Sequence, residues 1–155
     1  MPSSWLNVPH FRQELEYSCV AACARMVLAH YGDIRTEFEL RLLLDTQPTG
    51  ARAGNLVRLS GSAFEVYLRP SNLLELQKAL ADNQAPLVFL KTGSLEYWSM
   101  DIFHTVVLVG LDATAVALHD PYFATAPQTT SLLSFEKAWA QTGQFTGFLR
   151  PRQKP

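Results

Sequence analysis

Residues 18–32 read Ser-Cys-Val-Ala-Ala-Cys-Ala-Arg-Met-Val-Leu-Ala-His-Tyr-Gly and predict the central helix of the domain. Four alanines accompany larger apolar residues at helical spacing, which are Val20, Met26, Val27 and Leu28. Gly32 stands where a C-terminal glycine ends many helices. Ser18 can cap the N-terminus, which places Cys19 in the first turn. Backbone N–H groups and the helix dipole favour a thiolate there, so the position suits a nucleophile.

Weaker signals outline the rest of the fold. Further helices are predicted for residues 36–44, 56–59, 73–80 and 134–141, and strands for residues 64–68, 86–91, 105–111, 115–119 and 145–149. A capping box, Thr36-x-x-Glu39, opens the first of these helices, and Asn55 is the expected cap of the second. Helices first and strands later predict an α+β domain over residues 1–155, with N-terminal helices packed on a C-terminal antiparallel sheet. The tail from about residue 150 is expected to fray.

Composition is that of an ordinary globular protein of 155 residues, with 48% hydrophobic residues, 17% charged residues and a net charge of -1. This balance gives no electrostatic reason to expect nucleic acid or an anionic membrane as a partner. The N-terminus lacks the pattern of a secretory signal peptide, and no apolar stretch approaches the ~20 residues that span a bilayer. We therefore expect a cytoplasmic protein without direct membrane insertion, which a separate chain could still recruit to a membrane.

His104 and Asp120 are the best candidates to assist a cysteine nucleophile, which needs a base or an ion-pair partner. His104 begins a strand after a stretch, residues 92–103, that is interpreted as a loop, and strand ends beside loops often hold catalytic groups. Asp120 ends the next strand of the same hairpin. Both side chains should therefore lie at one end of the sheet, where the carboxylate could orient the imidazole ring.

Three other histidines compete for the same role. His119 adjoins Asp120, but strand alternation points the two side chains to opposite faces, and Asp120 is the preferred member of the pair. His30 lies within the first helix and is most simply a packed or surface residue. His10 precedes the helix and reaches Cys19 only if the chain doubles back.

Gln13 lies six residues before Cys19 and is a candidate for a further catalytic role. Its side-chain amide can donate to the oxyanion that forms when a thiolate attacks a carbonyl, together with the backbone N–H of Cys19. A glutamine before a helix is usually only a solvated polar residue. The spacing from Cys19 is what gives Gln13 its interest.

Cys23, the only other cysteine, lies one helical turn after Cys19 and is interpreted as a buried free thiol, with a resolving or redox role as the alternative. Four residues of separation on a helix make a poor disulfide. A metal site built from Cys19, Cys23, His104 and His119 matches no standard zinc signature. The sequence therefore predicts neither a metal nor a cofactor.

These residues resemble a family, the papain-like bacteriocin-processing cysteine peptidases that remove leader peptides after a double glycine, including its stand-alone members. The similar segments are residues 8–13, 18–32, 104–110 and 119–121. The resemblance implies a papain-like fold and a peptide or protein substrate. It also implies Cys19 as nucleophile, His104 as base and then acid, Asp120 as the residue that orients His104, and Gln13 as oxyanion donor, acting through a thioester acyl-enzyme.

The chain departs from the family beside the nucleophile, where Ser18 and Val20 replace an acidic residue and a glycine. Val20 could narrow the cleft that accepts glycines, so thiol chemistry is better supported than cleavage at a double glycine. Ser18 and Val20 are taken as substrate contacts, as are Trp98 and Phe103 in the segment before His104. These aromatic residues could grip a peptide side chain or equally cover a small core.

Two other functions use the same residues. One is a peptide-binding module that recognises a leader or partner tail without cutting it, although such a module has no need to keep Cys19, His104, Asp120 and Gln13 together. The other is acyl or peptidyl transfer to an amine instead of water. The chain carries no Gly-x4-Gly-Lys-Ser/Thr phosphate loop, so a transport role would need a membrane transporter or another chain as partner.

Overall fold

The computed structural model of the chain describes residues 1–153 and confirms the α+β class. Its α-helices are α1 (Cys19–His30), α2 (Glu37–Leu43), α3 (Leu73–Ala81) and α4 (Leu132–Ala140), with 3-10 helices at Ala53–Leu59 and Thr92–Ser94. Its strands are β1 (Phe64–Pro70), β2 (Leu87–Lys91), β3 (Phe103–Leu111), β4 (Ala115–His119), β5 (Gln128–Ser131) and β6 (Phe145–Pro151). The strands form one antiparallel sheet in the order β1-β6-β2-β3-β4-β5.

Helix α1 lies against β3 on one face of the sheet. Its alanines and Cys23 are buried, and such small side chains let the helix backbone approach the strand closely. Gly32 has a φ of +88°, a conformation that favours glycine, and the helix ends just before it as predicted. This packing places the first turn of α1, with Cys19, beside the start of β3.

Helices α3 and α4 cover the opposite face of the sheet. Trp139 and Phe135 of α4 pack in the same cluster as Val106 and Leu108 of β3, whereas Val107 of β3 packs with α1. Because β3 is covered on both faces, its sequence is a continuous apolar run instead of an alternating one. The sheet thus lies between two helical layers, and the candidate catalytic residues lie at one end of it.

Several predicted elements differ from the structure at their boundaries. Asn55 does not cap a helix but lies inside a 3-10 helix, where its amide donates to the carbonyl of Leu44. Helix α4 begins at Leu132, with Ser131 as its cap, instead of at Ser134. The sequence reasoning missed β5, because its residues Gln-Thr-Thr-Ser are polar and pair only along β4 at the sheet edge.

The C-terminal segment is more ordered than predicted. Strand β6 extends to Pro151 and pairs along β1, and the backbone N–H of Arg152 donates to the carbonyl of Ala63. The prediction of a frayed tail is therefore wrong for residues 150–152, and residues 154–155 lie outside the described residues.

The N-terminal segment runs back across the sheet toward the loop that follows β4. The backbone N–H of Leu6 donates to the carbonyl of Val109, and the backbone N–H of Gln13 donates to the carbonyl of Pro121 at 2.7 Å. These bonds carry Gln13 to the end of the sheet that holds His104. Within residues 1–153, no helix combines the length and the apolar character needed to cross a bilayer.

Candidate active site

Cys19 is the first residue of α1 and is half-buried at the base of a cleft, where it faces His104 and Thr105 of β3. Burial raises the pKa of the Cys19 thiol, but the hydrogen bonding and positive charge of His104 and the bonding of Thr105 outweigh it. The pKa of Cys19 is therefore lowered from its usual value. A cysteine in this setting is predisposed to ionise and to act as a nucleophile.

His104 is buried and connects Cys19 to Asp120. Its Nε2 atom donates to Oδ1 of Asp120 at 2.7 Å, so Nδ1 is the ring nitrogen left for Cys19. Burial lowers the pKa of His104, but the bonds and charges of Asp120 and Cys19 outweigh that effect and raise it to about 9. The raised pKa of the imidazole and the lowered pKa of the thiol together favour a thiolate–imidazolium pair.

Asp120 is completely buried and accepts hydrogen bonds on both carboxylate oxygens. The Tyr122 N–H and His104 donate to Oδ1, while the Tyr97 hydroxyl and the Trp98 indole N–H donate to Oδ2 at 2.9 and 2.8 Å. Burial raises the pKa of Asp120, but the hydrogen bonds from His104, Trp98 and the Tyr122 N–H, together with the charge on His104, lower it overall. The carboxylate is thereby kept ionised and fixed in orientation behind His104.

Trp98 has a different place from the substrate contact that the sequence suggested. Its indole ring meets the ring of His104 edge-on, with 5.1 Å between centroids, and its N–H is bonded to Asp120. The structure therefore places Trp98 against both His104 and Asp120, the two residues behind the thiol. Trp98 does not line the cleft over Cys19, and its contact with a substrate stays a prediction.

Ser18 also differs from its predicted roles. It occupies the N-cap position of α1 as predicted and so places Cys19 in the first turn, but its side chain makes no capping hydrogen bond. Its hydroxyl is buried within the preceding turn, where it contacts the backbone of Leu15 and the carboxylate of Glu37. Because this side chain is fully buried, it does not reach the cleft as a substrate contact.

Gln13 lies in the same turn and is committed to backbone partners. Its amide nitrogen donates to the carbonyl oxygens of Leu15 at 2.8 Å and Glu16 at 3.1 Å. The amide oxygen is buried and, among the described residues, makes no hydrogen bond. The structure thus brings Gln13 to the turn before Cys19, with its donor hydrogens shared between two carbonyls.

The remaining histidines lie away from Cys19. His119 Nε2 bonds to the carbonyl of Val8, and His10 Nε2 bonds to that of Phe123, with 5.3 Å between the two ring centroids. His30 Nε2 bonds to the carbonyl of Asn83. Each ring is thus tied to a backbone carbonyl, and His104 alone of the four faces the thiol.

Cys23 is fully buried, with its thiol directed at the carbonyl of Thr105 at 3.3 Å. Burial, with smaller contributions from the charges of Cys19 and Asp120, raises the pKa of Cys23 well above its usual value. In residues 1–153, no group of three or more potential ligands could hold a metal ion. The geometry of Cys23 fits a packed thiol.

We expect iodoacetamide to label the native protein once, at Cys19, because Cys23 is both buried and protonated. Intact-protein mass spectrometry should show one carbamidomethyl group in buffer and two after denaturation. Peptide mapping should assign the first group to Cys19. Labelling of Cys23 in the folded protein would contradict the burial and the protonation described for its thiol.

The cleft over Cys19 is a cavity of about 350 Å³ with mainly apolar walls. Val20 and Phe103, both predicted as substrate contacts, line it together with Phe89, Phe145 and Ala51. Phe103 is 71% exposed, whereas Val20 is nearly buried. Among the described residues, the lining includes no carboxylate, lysine or arginine, so the cavity suits an uncharged side chain.

Sequence reasoning missed two residues beside the site. Thr105 follows His104 and contacts Cys19, but a threonine at the start of a strand carries no distinctive signal. Glu37, in the capping box of α2, is 1% exposed and reaches the turn before Cys19. A glutamate in the first turn of a helix is normally read as a surface residue, so only the tertiary contact reveals its burial.

The model of the peptidase C39 family matches residues 7–145 of the chain, which include all four predicted catalytic positions. A comparison with curated proteins found no match. Among solved structures, a C39-like peptidase from Bacillus anthracis is similar at 17% identity and a TM-score of 0.79, over 98% of this chain and 100% of that one.

Two similar structures come from transporters. The peptidase domain of Streptococcus ComA, a bifunctional ABC transporter involved in quorum sensing, is 20% identical with a TM-score of 0.73, over 94% of this chain and 100% of that one. A double-glycine-motif protease from an AMS/PCAT transporter, solved in complex with the leader peptide, is 18% identical with a TM-score of 0.73. The match covers 97% of this chain and 96% of that one. The family match over most of its length shows that the chain belongs to the peptidase C39 family and is a cysteine peptidase.

Proposed function

We propose that the chain hydrolyses peptide bonds through Cys19, with His104 as the proton carrier and Asp120 as the residue that orients it. The observation that carries the proposal is the buried 2.7 Å bond between His104 and Asp120, which leaves the other ring nitrogen for the thiol. The opposite pKa shifts of Cys19 and His104 support the same assignment. Helix α1 adds its N-terminal dipole, which favours the thiolate.

In the first half of this reaction the Cys19 thiolate attacks the scissile carbonyl carbon and forms the C–S bond. The carbonyl electron pair moves onto oxygen, and the resulting oxyanion collapses as the C–N bond breaks. The imidazolium of His104 gives its proton to the leaving amine. The products are a free amine and a thioester on Cys19, and His104 is left neutral.

In the second half His104 acts as a base. It removes a proton from water, whose oxygen attacks the thioester carbon, and the C–S bond then breaks. The thiolate and the imidazolium are regenerated, and a carboxylic acid is released. Asp120 remains ionised throughout, because its four hydrogen-bond donors, His104 among them, stabilise the carboxylate in both halves.

We assign oxyanion binding to the backbone N–H of Cys19 and the amide of Gln13. Both Gln13 hydrogens are engaged with carbonyls, so one of them must be released when the substrate binds. The 3.1 Å bond to Glu16 is the longer and the more exposed of the two, and it is the one we expect to break. The bond to Leu15 then keeps the amide aimed at the site.

For the substrate we propose a peptide that places a bulky apolar side chain in the cleft beside the scissile bond. Phe89 and Phe145 form one wall, with 5.4 Å between their ring centroids, and Phe103 stands exposed at the rim. Val20 adds apolar surface next to the nucleophile. A leader peptide would be one such substrate, and a membrane transporter as partner and a cytoplasmic location stay predictions.

We expect the protein to cleave a synthetic peptide library with a preference for leucine, methionine or phenylalanine at one position near the cut. Mass spectrometry of the new termini gives both the cleavage and the preference. Phe103→Ala should lower kcat/KM for the preferred peptides by ~10-fold, since part of an apolar contact is lost.

Leu133→Ala is the matched control, because Leu133 is 62% exposed on α4 and does not line the cleft. It should leave kcat/KM unchanged. Cleavage with no side-chain preference would contradict the proposed subsite, whereas intact peptides in every pool would contradict the hydrolysis itself.

A further inference from the structure

Glu37 is a buried carboxylate that the reaction described above does not use. It is the first residue of α2, and 1% of its surface is exposed. One oxygen, Oε1, accepts the backbone N–H of Glu14 at 2.9 Å and lies 3.1 Å from the hydroxyl of Ser18. Glu37 thus bridges the two ends of the turn formed by residues 13–18, which we call the oxyanion turn.

The hydroxyl of Ser18 has a single proton and two acceptors within reach, the carbonyl of Leu15 and Glu37. The Leu15 carbonyl already accepts from the Gln13 amide and from the Ser18 backbone N–H. We therefore assign the hydroxyl proton to the charged oxygen of Glu37, which is the stronger acceptor. The hydroxyl oxygen in turn accepts the backbone N–H of Leu15 at 3.0 Å.

A continuous series of bonds then links Glu37 to Gln13. The Ser18 hydroxyl donates to Glu37 and accepts the backbone N–H of Leu15. The carbonyl of Leu15 in turn accepts a hydrogen bond from the Gln13 amide. Ser18 also immediately precedes Cys19, whose backbone N–H is the second proposed oxyanion donor. Both donors are thus positioned by a turn that one buried carboxylate closes.

The charge on Glu37 has a counterion. Arg41 Nε, one helical turn along α2, lies 3.0 Å from Oε2 as an ion pair without good hydrogen-bond geometry. Arg41 also binds Glu14 at 3.2 Å, and Arg25 of α1 lies 3.9 Å from Glu14. Arg41 would therefore keep Glu14 as an ion-pair partner if Glu37 were replaced by a neutral residue.

We infer that Glu37 is a positioning residue for oxyanion stabilisation, acting through the oxyanion turn on Gln13 and the backbone N–H of Cys19. The inference rests on the proposed hydrolysis by Cys19. Glu37 contacts neither His104 nor Asp120 in the described structure, so oxyanion stabilisation should depend on Glu37 while thiolate formation should not. Loss of Glu37 should therefore weaken transition-state binding and leave thiolate formation intact.

The test compares Glu37→Ala and Glu37→Gln with wild type in three assays: peptide hydrolysis, alkylation by iodoacetamide across pH, and inhibition by a leucine-containing peptide aldehyde. Alkylation needs the thiolate but no oxyanion site, whereas the hemithioacetal formed with the aldehyde places its oxygen there. Glu37→Ala should lower kcat by ~10 to 100-fold, below the full loss of a donor. KM and the alkylation pH profile should not change, and aldehyde affinity should fall in step with kcat.

Glu37→Gln keeps an acceptor for Glu14 and Ser18 and should restore most of kcat. Gln13→Ala should show the same pattern as Glu37→Ala, and the double variant should be no slower than the worse single one, since both act through one turn. Glu39→Ala, on the exposed side of the same helix, should behave as wild type in every assay. If Glu37→Ala does not fold, Ser18→Ala removes the same connection with a smaller change.

Alkylation and hydrolysis that fall in parallel would overturn the inference, because Glu37 would then support the site only as part of the general fold. Unchanged hydrolysis in both Glu37→Ala and Ser18→Ala would overturn it as well. Failure of the proposed function gives a different result: wild type itself would neither hydrolyse peptides nor bind the aldehyde, although Cys19 would still be alkylated.

Discussion

Cys19→Ala is expected to abolish peptide hydrolysis, lowering kcat by at least ~10⁴-fold, because the proposed acyl-enzyme forms on the Cys19 thiolate. Labelling of the native protein by iodoacetamide should disappear in the same variant. The fold should survive, since Cys19 is half-buried at the first position of α1 and alanine is a good helix former. Chromatographic detection of the cleaved peptide and a thermal melt measure the two expectations.

Cys23→Ala is the matched control for this substitution. Cys23 lies one turn along the same helix, and its burial and raised pKa keep it out of the reaction. The variant should keep its activity and its single site of labelling, with a modest loss of stability from the missing sulfur. Equal labelling of wild type and Cys19→Ala would remove Cys19 from the mechanism.

His104→Ala should lower kcat by ~10³-fold or more, because the site loses both its proton donor and the cation that stabilises the thiolate. Alkylation of Cys19 should then follow an apparent pKa close to the ~8.5 of a free thiol. In wild type the lowered pKa of Cys19 should extend alkylation to a more acidic pH. The measurement is the rate of iodoacetamide alkylation as a function of pH.

The raised pKa of His104 has a second consequence in wild type. The leaving amine requires the protonated ring, which is present below the pKa of about 9 and lost above it. Hydrolysis should therefore decline above about pH 9, whereas alkylation, which needs only the thiolate, should not. A decline of both rates together would point to unfolding in base instead of the titration of His104.

His30→Ala is the control for the histidine substitution, because His30 ends α1 and bonds only to the carbonyl of Asn83 in the described structure. Its alkylation and hydrolysis profiles should match those of wild type. An unchanged alkylation profile in His104→Ala would contradict the proposed pairing of His104 with Cys19.

The parts of the site that could be predicted from sequence are those fixed by local periodicity. Helix α1 follows from its apolar spacing and Gly32, and this locates Cys19 at a helix start. His104 and Asp120 belong to one hairpin, so their proximity follows from strand pairing alone. The alternation along β4 also separates His119, which bonds to Val8, from Asp120.

The parts that sequence reasoning could not supply depend on contacts between distant segments. The sequence predicts that Trp98 lies near the site, but its bond to Asp120 arises from the path of a loop that no periodicity describes. Serine is a common N-cap residue, but the hydroxyl of Ser18 bonds to Glu37, which lies 19 residues further along the chain. Such a long-range partner overrides the local preference of serine at a helix start.

The loop after β4 joins the separate parts of the site. Asp120 begins this loop. The carbonyl of Pro121 accepts the backbone N–H of Gln13, and the carbonyl of Phe123 bonds to Nε2 of His10. The N-terminal segment is thereby fixed to the same loop that carries the carboxylate. The oxyanion turn and the His104–Asp120 pair are thus connected through the backbone and not only through the cleft.

Intact-protein mass spectrometry of a rapidly quenched reaction tests directly whether an acyl-enzyme forms on Cys19. Wild type mixed with a cleavable peptide ester and quenched in acid should gain the mass of the acyl portion, and peptide mapping should place that mass on Cys19. His104→Ala should acylate far more slowly, and Cys19→Ala should gain no mass. Undiminished peptide cleavage by Cys19→Ala, or an acyl group on any other residue, would contradict catalysis by the Cys19 thiolate.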